Sequence, residues 1–132
     1  MTQQKTYRVI AVIAYLLIML MGQMIALPFF FWLAFTLFDF GNIDQLFAFF
    51  AVVGLVIICI NHDKPRTSKV LTLDVLCFFL LSSPLIRRMT AVPLELFNYL
   101  AFIIPTVLFA MFYTASLFFG CRQYSHLKTD SN

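Results

Sequence analysis

Residues 9–38 carry no charged side chain at all. A helix over that run would be about 45 Å long, against a hydrocarbon core of about 30 Å. Tilt alone does not absorb the excess, so the run must bend or stop early. Pro28 offers a place, since it lacks an amide proton and its ring clashes with the carbonyl four residues back. The segment FFFW that follows it, residues 29–32, carries rings that favour the membrane–water boundary. The expectation is a first span at about 9–30 and an interfacial extension over 31–40.

The remaining chain repeats the pattern. Asp39, Gly41, Asn42 and Asp44 mark a polar turn before a second apolar stretch at about 43–61. NHDKPRTSK, residues 61–69, concentrates Lys64, Arg66 and Lys69 around Pro65 and reads as a hydrophilic loop. A third span follows at about 70–86. After RRMTAV, Pro93 and Glu95 suit a helical first turn, and a fourth span runs over about 92–120. With 62% hydrophobic and 11% charged residues, the chain is outside the range of a soluble globule. The fold class expected is an all-α membrane protein, a single polytopic domain over residues 1–132 with four transmembrane helices in an antiparallel bundle. Seventeen phenylalanines against four glycines argue against a tightly packed small-residue bundle.

Four spans put both termini and the 61–69 loop on one side. Lys5, Arg8, Lys64, Arg66, Lys69, Arg122 and Lys128 then face Arg87 and Arg88 alone. The bias of seven to two predicts an N-in/C-in arrangement, with the termini cytoplasmic in a bacterial inner membrane. Arg87 and Arg88 on the outer face are expected to be neutralised by Glu95, Asp39 and Asp44, with Arg88 paired to Glu95 across a compact turn. Pro84 is expected to disturb the end of the third span.

Three features could carry chemistry. Asp74 is an acid about one turn inside the third span. It is expected to be a near-interface carboxylate paired with Lys69, Lys64 or Arg66, contributing about 0–1 kcal/mol, and the competing role is a proton or cation relay. In the fourth span, Glu95, Tyr99, Thr106 and Tyr113 fall within roughly 40° of one line at about 100° per residue. Asn98 and Ser116 flank that stripe. Its polar groups should face the bundle, either lining a polar path or joining helices by hydrogen bonds. Pro105 frees the Ala101 carbonyl within it. Gly22 and Gln23 in the first span, and Ala48, Ala51 and Gly54 in the second, have the small or polar character of helix-contact positions.

Cys59, His62, Cys121 and His126 share a predicted membrane face, but their spacing matches no zinc motif and no metal site is expected. Cys77 completes a set of free thiols. No nucleophile–base arrangement or phosphate loop is present, so neither an enzyme nor a cofactor is expected, and the scattered net charge of +3 gives no nucleic-acid footprint. The partners expected are the lipid bilayer and another membrane protein, or self-association. The function expected is that of an accessory or immunity-type protein acting by helix–helix contact. A small oligomeric transporter or channel is the alternative.

Overall fold

The structure is a computed structural model that describes residues 2–21 and 26–131. Its elements in order are helix α1 (Thr2–Leu16), strands β1 (Met19–Met21) and β2 (Ala26–Pro28), then helices α2 (Phe29–Leu37), α3 (Ile43–Ile60), α4 (Ser68–Ala91) and α5 (Leu100–Asp130). A 3₁₀ turn at Leu94–Phe97 joins α4 to α5. Among the described residues three helices, α3, α4 and α5, are long and apolar enough to cross a membrane. The protein is predominantly helical and membrane-embedded in character, with α1 packed along α5 and α3 along α4.

The continuous helix expected over 9–30 is not formed. α1 stops at Leu16 and the chain turns into an antiparallel hairpin, Met19 opposite Pro28 and Leu20 opposite Leu27. The Phe29 amide then donates to the Ile18 carbonyl at 2.7 Å. Reversal seats Phe29 edge-on against Tyr15, with ring centres 4.9 Å apart. Pro28, with no amide proton to lose, ends a strand and sits just before α2 at φ −57°. A charge-free run of this length argues for a spanning helix, and the tertiary pairing of the hairpin overrides it. Gly22 and Gln23 lie outside the described residues. The extension expected over 31–40 falls on α2, where Phe29 and Leu33 are buried and Phe30 and Phe31 are exposed.

Gln4 meets Ser116 through its side-chain amide, which donates to the Ser116 carbonyl at 3.2 Å. The Tyr99 hydroxyl donates to the Met19 carbonyl. α1 and β1 together therefore run antiparallel to α5 from the level of Ser116 to that of Tyr99, about 25 Å of helix.

The α3–α4 seam is built on small residues. Ala48, Ala51 and Gly54 are buried along one face of α3. A Cβ added at Gly54 would lie 2.9 Å from Leu81 Cδ1 and 3.2 Å from Leu80 Cβ, which shows how closely the two backbones approach.

α4 also corrects an expectation, since it continues through Pro84 to Ala91. The proline removes the amide that would have bonded the Leu80 carbonyl. The Ser83 hydroxyl takes that carbonyl instead, at 2.8 Å. The fourth span expected from about 92 likewise begins later, at Leu100, and the helix extends to Asp130.

Candidate functional site: a buried carboxylate between two guanidiniums

Asp74 belongs to the buried face of α4 that also carries Val70, Cys77 and Leu81. It is 1% exposed. One of its carboxylate oxygens, Oδ2, receives Arg66 Nη1 at 2.6 Å from the α3–α4 loop and also contacts Arg8 Nη2 from α1. Above them the Tyr113 hydroxyl of α5 donates to the Asp74 backbone carbonyl at 2.9 Å. One residue of α4 thereby joins α1, α5 and the α3–α4 loop, and ties the two helix pairs together.

The local sequence places each participant. Arg8 is one helical turn before Ala11 and two before Tyr15, and all three are buried on the inner face of α1. Arg66 follows Pro65 in the α3–α4 loop and, unlike its exposed neighbours Lys64 and Thr67, folds inward onto Asp74 with 8% of its surface exposed. Two cations share one anion here, and Arg8 Nη1 and Asp74 Oδ1 make no hydrogen bond among the described residues. The cluster therefore carries an uncompensated positive charge.

Of the partners considered for Asp74, Arg66 is the one in contact, and Lys64 and Lys69 are exposed. Arg8 was missed, because in the sequence it reads only as part of the topogenic charge before a span. The signal that could have found it is its spacing from Ala11 and Tyr15, which puts a cation on the face that must be buried. Burial of Asp74 also replaces the exposed, weakly contributing pair expected there with a desolvated one.

The polar stripe divides. Tyr113 and Ser116 are buried at helix contacts, Ser116 Oγ lying 3.5 Å from the Gln4 carbonyl, and Tyr99 holds the hairpin. Thr106 bonds back to the Phe102 carbonyl of its own helix at 2.7 Å. Glu95 and Asn98 are exposed and precede α5, so helical spacing does not extend to them.

At the opposite end of the molecule, Arg87 Nε lies 3.3 Å from Asp44 Oδ1. Arg88 does not pair with Glu95. Its guanidinium stacks 5.4 Å from the Trp32 ring centre, a cation–π contact. Glu95 forms no ion pair among the described residues, and Asp39 accepts a hydrogen bond from Asn42 at 3.2 Å. The reason is that α4 runs on past the arginines to Ala91, which carries them on a helix face toward α2 and α3 and not into a turn facing Glu95.

Cys59 and His62 lie in a cleft between α1 and α3, whereas His126 borders a separate depression with Gln3, Gln4 and Arg122. Those cysteines and histidines are not gathered into one cluster, and the described residues contain no group of three or more metal-ligating side chains. Near the cleft, Lys5 Nζ bonds Asp63 Oδ1 at 2.6 Å. That hydrogen bond, followed by the charge of Lys5, holds the exposed Asp63 carboxyl below its ordinary value.

Comparison with protein-family models finds no match, and comparisons with curated proteins and with solved structures find none either.

Proposed function

We propose that the chain is a small integral protein of a bacterial inner membrane that acts by lateral helix contact with another membrane protein, in an accessory or immunity-type role and without catalysis. The observation that carries this reading is how the interior polar groups are used. Asp74, Arg8, Arg66, Tyr113, Ser116 and Gln4 are engaged in joining helices. Meanwhile the outer face of α5 presents Ile103, Ile104, Val107, Leu108 and Met111, each between 38% and 63% exposed. With the interior polar groups committed to joining helices, the apolar face of α5 that lipid would otherwise cover is the surface left for a partner helix.

The proposed topology has four crossings with both termini cytoplasmic. The first crossing is made by α1 with the hairpin at its far end and not by one long helix. The Gln4–Ser116 and Met19–Tyr99 contacts support it, as does the charge bias of the end that holds Lys5, Lys64 and Lys69. A strand pair is tolerable there because Tyr99 donates to the Met19 carbonyl and the 3₁₀ turn at Leu94–Phe97 packs beside β1.

Photo-crosslinkers at Ile104, Val107 and Met111 test the functional reading in cells. Adducts to one heterologous membrane protein, absent from buried Phe109, support it. Adducts to copies of this chain alone would sink it in favour of a small oligomeric transporter or channel. The observation on that side is the buried Asp74 Oδ1 without a hydrogen bond. Proton or cation flux through vesicles holding the purified protein, abolished by Asp74→Asn, would establish it.

A further inference from the structure

Because α1 packs on α5 and α3 packs on α4, the flank between α1 and α3 stays open. A cleft of about 370 Å³ occupies it, and its lining is graded along its length. Arg8, His62 and Asp63 form one end, toward the chain termini and the α3–α4 loop. Val12 and Ile13 of α1 and Ile58 of α3 form the other, toward the middle of the helices. A polar rim at the helix ends above an apolar slot is the shape of an amphiphile standing in one leaflet.

The charge at the rim selects the sign of the headgroup. Arg8 and Arg66 share the single carboxylate of Asp74, while the charge of Asp63 is taken by Lys5 at 2.6 Å. One positive charge is left over. It resides beside the cleft on Arg8, whose side chain is 2% exposed, whose Nη2 is held by Asp74 and whose Nη1 makes no hydrogen bond among the described residues. A guanidinium in that state is a strong donor for a phosphate oxygen, and withdrawal from water strengthens the attraction. We propose that the cleft holds one membrane phospholipid with an anionic headgroup, its phosphate on Arg8 and an acyl chain between Val12, Ile13 and Ile58. The proposal does not depend on the protein partner inferred above. It also assigns Arg8 two tasks, holding α1 to Asp74 and presenting the remaining donors to lipid.

Native mass spectrometry of the detergent-purified protein tests it, with phosphatidylglycerol and phosphatidylcholine added in equal amounts. The expected result is one retained phosphatidylglycerol, favoured about tenfold over phosphatidylcholine, whose choline cation cancels the headgroup charge that the surplus positive charge at the rim would otherwise meet. Ile13→Trp fills the slot from a residue that is 51% exposed and leaves the Arg8–Asp74 pair in place. It should abolish retention, whereas Val75→Trp on α4 should not. Arg8→Gln should remove the headgroup preference. Equal retention of the two lipids, or undiminished phosphatidylglycerol on Ile13→Trp, overturns the proposal. Displacement of the lipid by millimolar inorganic phosphate would also overturn it, because the site would then be one for a free anion.

Discussion

The two helix pairs adhere by different physics. α3 and α4 meet closely across a face of small residues, Ala48, Ala51 and Gly54 all buried and Gly54 set against Leu80, Leu81 and the Cys77 carbonyl. α1 and α5 meet through large rings and polar ends. Tyr7 stacks on Phe112 and Phe119 at 5.8 and 5.5 Å, Tyr15 packs on Phe109 at 4.9 Å, and Gln4 reaches Ser116. A seam of small residues is rigid and intolerant of added volume, while one of flexible rings can re-pack. Asp74 joins the two pairs, and its pairing is of a third kind, electrostatic and desolvated.

The largest effect expected is therefore at the junction. Asp74→Asn leaves two buried guanidiniums without their anion and should cost about 3–5 kcal/mol. Thermal or denaturant unfolding in mild detergent would measure it. A loss below about 1 kcal/mol would mean that water reaches the cluster and that the pair behaves as an exposed one.

The contrast between the pairs themselves is sharpened by two glycines. At Gly54 a new Cβ meets packed Leu81 and Leu80, and relief requires the helices to separate, so Gly54→Ala should destabilise by about 1–3 kcal/mol. At Gly120 the Cβ would lie 2.6 Å from Gln4 Nε2, the far end of a flexible side chain. There the gain in helix propensity, about 1 kcal/mol, offsets the displaced contact and Gly120→Ala should be near neutral. Equal losses at the two sites would erase the distinction between rigid and adaptable seams.

A smaller effect separates the charge of Asp74 from its backbone contact. Tyr113→Phe removes the hydrogen bond to the Asp74 carbonyl and keeps the ring, so about 1 kcal/mol should be lost. In a double-mutant cycle with Asp74→Asn the two losses should not add, because the hydroxyl contacts Asp74 itself and shares its packing with the ion-pair cluster.

The smallest effect is at the exposed latch between Lys5 and Asp63. Lys5 lowers the Asp63 carboxyl below its ordinary value of 3.8, so the folded protein holds that proton less tightly than the unfolded chain. The stabilisation is accordingly present above 3.8 and disappears as pH falls through the lowered value. The melting temperatures of the native protein and Asp63→Asn should differ slightly at neutral pH and converge in acid. A difference that persists unchanged in acid would remove the ion pair as its cause.

Several of these features could be read from residues in order along the chain. Hydropathy and length located α3 and α4 and the apolar body of α5, because a lipid-embedded segment must satisfy its own backbone and be apolar over about 20 residues. Ala48, Ala51 and Gly54 stood out as contact positions by size and spacing alone, since only small side chains let two helices approach. Asp74 was marked as unusual by its cost in an apolar segment. Each of these follows from a property of one residue or of one continuous run.

Tertiary structure decided what depends on two distant runs at once. Leu16 ends a helix because Tyr99 captures the Met19 carbonyl and Phe29 returns onto Tyr15, contacts spanning 80 and 14 positions that no local period encodes. Arg8 became a partner of Asp74 and not merely a topogenic charge because α1 lies against the inner face of α5, where water is excluded. Arg88 turned to Trp32 and not to Glu95 because α4 outlasted its proline, helped by the Ser83 hydroxyl. The physical reason is common to all three: where an uncharged run or a long charged side chain has several partners of similar local merit, the choice rests with the packing that brings one of them within reach.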